Sequence, residues 1–264
     1  MNHKIMVFIP MYNCENQIAR VIKKISENSF LFYEILAIDN RSQDETINRC
    51  AEAMQEIKNA KCTIIKNTEN FNLGGSHKTA FLYALENKLD YLVVTHGDDQ
   101  GDINNLIPLI KEDVHKKYDC LLGARFHKES KLVNYSMVRI IANKVFNILY
   151  SLVARKRLQD LGSGLNLYDV NFLKSKFFLT FPNNLLFNYY VLLYSCDVDC
   201  NFIYFPLTWV EEDQVSNANL MNIGFTALRI IFSYTFNRKK FLNMPIDTNY
   251  NYSYEVMYSG PAKD

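Results

Sequence analysis

Short apolar runs alternate with segments of helical periodicity through the first half of the chain, and this alternation limits the fold more than any other feature. The apolar runs predict buried strands at residues 5–9, 34–38, 62–65, 91–95 and 120–123. The segments between them have helical spacing and predict helices at residues 16–26, 44–57, 76–86 and 103–115. Short buried strands that alternate with helices are typical of a mainly parallel sheet covered on both faces. We therefore predict an α/β fold.

The second half of the chain is more apolar and less regular. Apolar periodicity predicts further helices at residues 136–153, 184–196 and 220–236 and one strand at residues 200–209. The tail after Met244 is polar and rich in tyrosine and asparagine, which predicts a loosely ordered end. We divide the chain into an α/β domain at residues 1–215 and a C-terminal apolar helix with a polar tail at residues 216–264.

Composition excludes several classes of protein. A net charge of +1 argues against broad binding to nucleic acid, and 48% hydrophobic residues can build a large core. The six cysteines form no CxxC pair, so we expect reduced, structural thiols rather than disulfides or a thiolate metal site. The first residues are too polar for a signal peptide, and no uncharged apolar stretch reaches the roughly 18 residues of a membrane-spanning helix. These features predict a cytoplasmic protein.

Polar clusters follow the predicted strands at the point where each strand ends. They are Tyr12-Asn13, residues 39–42, residues 96–102 and Arg125. Ligands of open α/β sheets bind beyond the carboxyl ends of the strands. We therefore expect these clusters to form one binding site.

The stretch THGDDQGD, residues 95–102, is the strongest candidate for a metal site. In an extended segment His96, Asp98 and Gln100 would point the same way, whereas Asp99 and Asp102 would point elsewhere and cap the next helix. An imidazole, a carboxylate and an amide suit Mn²⁺ or Mg²⁺ better than a thiophilic metal. A solvated acidic loop with a helix cap is the alternative.

Two further stretches have the chemistry of a nucleotide site. Asp39 directly follows a predicted strand and can accept hydrogen bonds from a base or a ribose, although residues 39–46 also suit an ordinary turn and helix cap with Ser42 or Asp44. The stretch NFNLGGSHK, residues 70–78, places two glycines before a helix, where backbone can approach a phosphate. A plain loop is the alternative for this stretch.

Six motifs in this order give the chain a family resemblance. They are IPMYNCENQI, AIDNRSQDET, NFNLGGSHKTAFLYAL, YLVVTHGDDQGDI, LLGARF and DLGSGLNLY. The chain resembles the inverting family 2 glycosyltransferases with a GT-A fold, a Rossmann-like and mainly parallel sheet, and in particular the dolichyl-phosphate-mannose-synthase-like branch. The resemblance covers residues 4–210 and implies a nucleotide-diphosphate-sugar donor with a Mn²⁺ or Mg²⁺ cofactor.

The resemblance also assigns roles to residues. Asp39 would contact the base or ribose, with Pro10 and Tyr12 lining the same pocket, and Asn72 and Gly74 would flank the donor.

The same resemblance assigns the diphosphate end of the donor. Asp98 would be the main metal ligand, with Gln100 as a second ligand and His96 as a further candidate. Arg125 would pair with the diphosphate as charge develops on the leaving group, because a guanidinium binds two oxygens at once.

The chain departs from the family pattern at several positions. His96-Gly97-Asp98 stands where the family usually has DxD, so the site has one negative charge fewer. Asn40 and Arg41 replace the second aspartate and the glycine of the usual DDGS. Glu211 lies near the place where the branch often has an arginine, and an acid there would repel a phosphate acceptor.

Inverting transfer is an in-line displacement that needs a stabilised leaving group. A hydroxyl acceptor also needs a general base, for which Asp160 and Asp213 are the candidates, whereas a phosphate acceptor needs none. Asp160 could instead order its loop as a hydrogen-bond acceptor, and residues 211–213 could form a solvated loop. We expect a lipid-linked acceptor or a glycan under construction.

Two other functions fit an α/β fold with such clusters. A sugar-phosphate nucleotidyltransferase would show a glycine-rich loop after its first strand, which IPMYNCENQ lacks. A non-catalytic sugar-nucleotide-binding protein would tolerate His96 in place of an aspartate.

Two apolar segments end in basic triplets. The face of Val138, Ile141, Val145, Leu149 and Leu152 precedes residues 155–157, and the segment 220–236 precedes residues 238–240. Amphipathic helices with basic flanks bind anionic membrane interfaces, which predicts peripheral attachment to the inner face of the cytoplasmic membrane. Packing on the sheet, or a contact between two copies in a homodimer, is the alternative.

Overall fold

The structure is a computed structural model that describes residues 3–213 and 220–260. Its strands are β1 (Ile5–Met11), β2 (Glu34–Asp39), β3 (Lys61–Asn67), β4 (Tyr91–Thr95), β5 (Cys120–Ala124), β6 (Lys131–Val133), β7 (Leu165–Asp169), β8 (Phe202–Pro206), β9 (Thr208–Val210) and β10 (Tyr254–Ser259). Its α-helices are α1 (Ile18–Ser26), α2 (Thr46–Met54), α3 (Asn72–Glu86), α4 (Ile107–Lys111), α5 (Met137–Ala154), α6 (Val170–Leu173), α7 (Phe187–Asp197), α8 (Leu220–Phe236) and α9 (Arg238–Leu242). Short 3₁₀-helices cover Ser29–Leu31, Ile103–Asn105, Val114–Lys117 and Phe177–Thr180.

One mixed sheet has the strand order β10-β3-β2-β1-β4-β7-β5-β8. Strands β7 and β10 run against their neighbours, and the remaining strands of this sheet run in one direction. A small parallel ribbon of β6 and β9 lies beside it. The predicted α/β fold with a mainly parallel sheet is confirmed.

Helices cover both faces of the sheet, because side chains alternate along each buried strand. In β1, Val7 and Ile9 join one core with the apolar residues of α1 and α2. Met6 and Phe8 point to the other face and join a second core with α3 and α7. A third cluster, between α5, α7 and α8, includes Tyr150 of α5, whose hydroxyl donates to Ala227 O at 2.9 Å.

The predicted elements of the first half are present with small shifts of their ends. Helix α3 begins at Asn72, earlier than the predicted residue 76, so both glycines lie inside it. The predicted continuous helix at residues 103–115 is wrong, because α4 is flanked by two 3₁₀-helices and Asp113 has φ 57°. The predicted strand at residues 200–209 is divided into β8 and β9.

The prediction of a loosely ordered tail is wrong for β10, which pairs antiparallel with β3 from Tyr254 opposite Asn67 to Ser259 opposite Thr63. Strand β7 was also not predicted, and it lies between β4 and β5. The sheet therefore includes residues on both sides of the boundary proposed at residue 215. That boundary lies outside the described residues, and the division into two units stays a prediction.

Helices α5 and α8 pack together but leave many large apolar side chains in contact with solvent. On α5 these are Met137, Val138, Ile141, Val145, Ile148 and Leu152. On α8 they are Met221, Phe225, Leu228, Phe232 and Phe236. Among the described residues, α5 is long and apolar enough to cross a membrane by length and composition, although it contains Arg139 and Lys144 and so is not an uncharged stretch.

The six cysteines are buried and free, as predicted. Cys120 Sγ and Cys200 Sγ approach to 3.8 Å within the core. Burial raises the pKa of the Cys14 thiol to about 12, with the thiol near the polar cluster after β1. The Cys14 thiol therefore stays protonated at neutral pH.

Candidate active site

The end of β1 brings two polar loops together. The amide of Asn40, directly after β2, donates to Met11 O at 2.9 Å. The amide of Gly97, directly after β4, donates to Pro10 O at 3.1 Å. Both loops are therefore fixed to neighbouring carbonyls of one strand, as expected for the carboxyl ends of parallel strands.

Asp39 is buried at the end of β2, and its carboxylate shapes the turn that follows. It accepts hydrogen bonds from Arg41 N at 3.1 Å and from Ser42 N at 3.1 Å. Arg41 has φ 71°, in the left-handed region that glycine favours, and an aspartate two residues earlier stabilises such a turn. Pro10 is buried beside it, and the ring of Tyr12 is exposed at the rim.

Asn40 anchors the loop that leads into α3. Its Oδ1 accepts from Phe71 N at 2.9 Å and from Asn67 Nδ2 at 3.0 Å, and its Nδ2 donates to Asn70 Oδ1 at 2.8 Å. An aspartate could accept these bonds but could not donate the third. The sequence showed Asn40 as a departure from the family pattern, and the structure shows what this amide does.

The first turn of α3 packs closely on the loop before α7. Gly74 N donates to Asn183 O at 2.9 Å, and a Cβ on Gly74 would lie 2.8 Å from Asn183 C and from Phe187 Cβ. A Cβ on Gly75 would lie 2.3 Å from Phe71 Cβ. Close packing therefore explains both glycines, and the contact of Gly74 with a donor stays a prediction. Asn72, with φ 58°, leads into this turn.

The segment after β4 turns rather than extends, so the expected alternation of His96, Asp98 and Gln100 is wrong. Asp99 has φ 60° and pairs with Arg20 at 3.0 Å and Lys24 at 2.7 Å. Asp99 is thus the residue by which the turn faces these two cations.

Asp102 caps the next turn, as predicted. Its carboxylate accepts from Asn104 N at 3.1 Å, at the start of the 3₁₀-helix Ile103–Asn105.

Asp98 is half-buried and its Oδ1 accepts from Gln100 N at 3.2 Å. Burial, together with the negative charges of Asp99 and Glu211, raises the pKa of Asp98 to about 6. Gln100 Nε2 donates to Glu211 Oε1 at 3.5 Å. A nearby cation would stabilise the ionised form of a carboxylate among other acids, as expected for a metal ligand.

His96 is the first residue after β4 and is partly buried. Its ring is 6.0 Å from that of His77, and a Cβ on Gly164 would approach its Cγ to 2.8 Å. Burial and the charge of Arg125 lower the pKa of His96 to about 4, so the imidazole is neutral at pH 7. Its Nε2 is buried without a hydrogen-bond partner among the described residues. His96 therefore packs beside His77 and Gly164 and leaves its Nε2 unpaired among the described residues.

Arg125, after β5, forms a buried ion pair with Asp160. Asp160 accepts from Arg125 N, Nε and Nη2 at 2.8, 2.8 and 2.7 Å and from Gly162 N at 3.1 Å. The side chains are 10% and 1% exposed. Arg125 Nη1 reaches the hydroxyl of Tyr135 at 3.4 Å. The carboxylate of Asp160 therefore orders both the arginine and the loop at residues 160–164.

The loop after β9 brings two acidic residues, Glu211 and Asp213, close to the turn after β4. Glu211 pairs with Arg139 of α5 at 2.7 Å. Asp213 pairs with Arg20 at 2.9 Å, and both side chains are about two-fifths exposed. The hydrogen bond from Arg20 lowers the pKa of Asp213, so its carboxylate is ionised at neutral pH.

The described residues contain no group of three histidine, cysteine, aspartate or glutamate side chains that could enclose a metal ion. Asp98 fits a hard divalent cation by its charge and surroundings, and Gln100 is next to it. His96 stays a predicted ligand, because its imidazole is neutral at pH 7 and its Nε2 has no hydrogen-bond partner among the described residues. A cation here would need further oxygen ligands from a bound molecule.

Comparison with known proteins gives a family model, relatives and structures of the same fold. The model of glycosyl transferase family 2 matches residues 6–176. An uncharacterized protein of Methanocaldococcus jannaschii is 25% identical over 167 residues, 63% of this chain and 65% of that protein. An undecaprenyl-phosphate 4-deoxy-4-formamido-L-arabinose transferase of Enterobacter sp. is 25% identical over 169 residues, 63% of this chain and 49% of that protein. The chain thus spans about half to two-thirds of the length of these relatives.

Solved structures share the fold at low identity. TarS of S. aureus, crystallised with UDP-GlcNAc, has a TM-score of 0.57 and 18% identity over 86% of this chain and 65% of its own. Glucosyl-3-phosphoglycerate synthase of Mycobacterium tuberculosis, crystallised with Mn²⁺, UDP and glucosyl-3-phosphoglycerate, has a TM-score of 0.61 and 13% identity over 99% of this chain and 91% of its own. These similarities establish the GT-A fold.

Proposed function

Because the chain belongs to glycosyl transferase family 2 and is therefore a glycosyltransferase, we propose that it moves a sugar, with inversion, from a nucleotide-diphosphate-sugar to an acceptor. The observation that carries this proposal is the junction at the end of β1. There Asn40 N and Gly97 N bond to adjacent carbonyls, which brings the Asp39 turn and the Asp98 turn to one edge of the sheet. One extended ligand can contact both turns.

The donor is assigned along this edge. Asp39, Pro10 and Tyr12 bind the nucleoside of the donor, and the loop with Asn72 and Gly74 flanks the donor. The UDP-GlcNAc held by TarS and the UDP held by the mycobacterial synthase support a nucleotide-sugar as the ligand class.

Asp98 holds a Mn²⁺ or Mg²⁺ ion, with Gln100 as a second ligand and His96, whose Nε2 has no hydrogen-bond partner among the described residues, as a further candidate. The ion, when bound, neutralises charge on the departing diphosphate. The Mn²⁺ in the mycobacterial synthase supports this assignment.

Arg125 and the general base take separate roles. Asp160 holds the guanidinium of Arg125 in place beside the diphosphate, where its positive charge stabilises the leaving group. Four hydrogen bonds occupy the Asp160 carboxylate, which disfavours it as a base. Asp213 is ionised and exposed, so it is the better base for a hydroxyl acceptor.

The acceptor is lipid-linked, and the protein attaches peripherally to the inner face of the cytoplasmic membrane through α5 and α8. The apolar side chains on these helices are exposed, and exposed Arg155 and Arg157 follow α5 while Arg238–Leu242 follows α8. An apolar face with a basic border matches an anionic lipid surface. The undecaprenyl-phosphate transferase among the relatives supports a lipid acceptor, and a glycan under construction is the alternative.

Flotation with anionic liposomes tests the membrane surface. The wild-type protein should float at low salt, and Lys239→Glu with Lys240→Glu should weaken flotation because each lost cation near the surface costs about 1 kcal/mol. If the wild-type protein stays with the soluble fraction, α5 and α8 form a contact with a second copy or a protein, and the acceptor is not presented by a membrane.

The site assignment is tested with a panel of nucleotide-sugars and MnCl₂. Wild-type protein should release nucleoside diphosphate from at least one donor, and Asp98→Asn should abolish this turnover, as should excess EDTA. Asp102→Asn is the matched control, because asparagine also caps a helix and turnover should persist.

Full turnover by Asp98→Asn, or in EDTA, would contradict the metal assignment. Binding of a nucleotide-sugar without turnover of any donor would favour a non-catalytic binding protein. Formation of nucleoside triphosphate and sugar 1-phosphate when pyrophosphate is added to the nucleotide-sugar would favour a nucleotidyltransferase.

A further inference from the structure

The segment that precedes β10, residues 250–253, lies against the loop that leads into α3, and we call it the tail segment. The buried ring of Phe71 meets the rings of Tyr250 and Tyr252 edge-on, with centroids 5.8 and 5.5 Å apart. Ser253 O accepts hydrogen bonds from the amide and the hydroxyl of Thr68 at 3.1 and 3.2 Å. The tail segment thus covers the outer side of this loop.

The hydroxyl of Tyr252 connects two other elements. It accepts a hydrogen bond from Lys78 Nζ of α3 at 3.0 Å and donates one to Asn183 Oδ1 at 3.1 Å. Lys78 is buried, and its ammonium group also donates to the main-chain oxygens of Leu179 and Phe181. A phenol is suited to this place because it can accept from an ammonium group while donating to an amide oxygen.

Asn183 also contacts the start of α3 through its main chain. Its carbonyl oxygen accepts from Gly74 N at 2.9 Å, and a Cβ on Gly74 would lie only 2.8 Å from its carbonyl carbon. Two backbones in such close contact cannot shift independently. The position of the Tyr252 hydroxyl therefore bears directly on the position of Gly74.

We propose that Tyr252 is a positioning residue for donor binding, because its hydroxyl holds Asn183, whose carbonyl oxygen binds the Gly74 amide in residues 72–74. Asn40 holds the same loop through Phe71 N, so the loop is fixed from two sides. This inference rests on the proposed function, since it takes residues 72–74 to flank the nucleotide-diphosphate-sugar. Removal of the hydroxyl should loosen the loop without removing a group that contacts the donor.

The test compares Tyr252→Phe with Tyr250→Phe. The control keeps the ring of Tyr250, through which this residue contacts Phe71 and Tyr252. For Tyr252→Phe we expect the donor KM and the Kd for UDP with MnCl₂ to rise roughly three- to tenfold, the range for one lost hydrogen bond, with kcat within about twofold of wild type. Hydrogen exchange at the Gly74 amide should become faster. Asn183→Ala, which removes the other partner, should give the same pattern.

An unchanged KM and Kd in both Tyr252→Phe and Asn183→Ala would overturn the inference, as would a fall in kcat alone. Unchanged exchange at Gly74 would also overturn it. If the wild-type protein neither binds UDP nor turns over any donor, the proposed function fails, and the exchange measurement still decides whether the hydroxyl fixes the loop.

Discussion

Replacement of Asp160 by asparagine tests whether this acid serves mainly as the counter-ion of Arg125. The carboxylate is 1% exposed and accepts three hydrogen bonds from Arg125. Asparagine has nearly the same shape but removes the charge and turns an NH₂ group toward N–H donors. A buried arginine without its counter-ion costs about 3–5 kcal/mol. For a chain of this length that corresponds to a fall in Tm of roughly 6–20 °C.

The measurement is guanidinium and thermal unfolding, with Asp213→Asn as the matched control. Asp213 also pairs with an arginine, but both partners are about two-fifths exposed, so its loss should cost no more than about 1 kcal/mol. The double variant Arg125→Met with Asp160→Leu should recover much of the lost stability, because apolar residues can replace a buried ion pair. If Asp160→Asn is no more destabilising than Asp213→Asn, the buried pair is not what orders this loop.

Two further predictions concern stability. Gly164→Ala should lower the free energy of unfolding by about 1–3 kcal/mol, because the new Cβ would approach the His96 ring to 2.8 Å. Gly101→Ala is the control and should cost less, because the nearest neighbour of its Cβ would lie at 3.6 Å. Equal losses of stability in urea unfolding would argue against close packing at Gly164. Burial lowers the pKa of Lys78 to about 8, whereas an ordinary lysine has a pKa of about 10.4. Between these two pH values the unfolded chain binds more protons than the folded chain. The folded state therefore gains stability as pH rises through this range. In urea unfolding at pH 7.5, 8.5 and 9.5, wild type should gain stability relative to Lys78→Met, and a constant difference would show that Lys78 titrates normally.

The central part of the fold could be predicted because buried parallel strands give unmistakable apolar runs. Strand β7 was missed because LNLYD follows a glycine-containing loop and has polar residues at two of its five positions, although Asn166 is buried in the sheet. Strand β10 was missed because it is an edge strand whose side chains are mostly exposed, so its apolar pattern is weak.

The site was predictable in its outline but not in its contacts. Strand ends place Asp39 and Asp98 at one edge, and the sequence alone indicates both. The conformation of the turn after β4 could not be predicted, because Asp99 adopts φ 60° only with Arg20 and Lys24 as partners from a distant helix. The contribution of Tyr252 was equally hidden, since its partner Lys78 is 174 residues away.

The edge position of β10 has a consequence for synthesis of the protein. Thr68, at the end of β3, and Ser253, at the start of β10, are 185 residues apart. At roughly 5–20 residues per second, a ribosome needs about 10–40 s to make the intervening chain. During that time the KCTIIKN edge of β3 is unpaired, and an open strand edge can pair with other nascent chains. Substitutions that weaken β10 should therefore reduce the yield of soluble protein more than they reduce the activity of the molecules that fold.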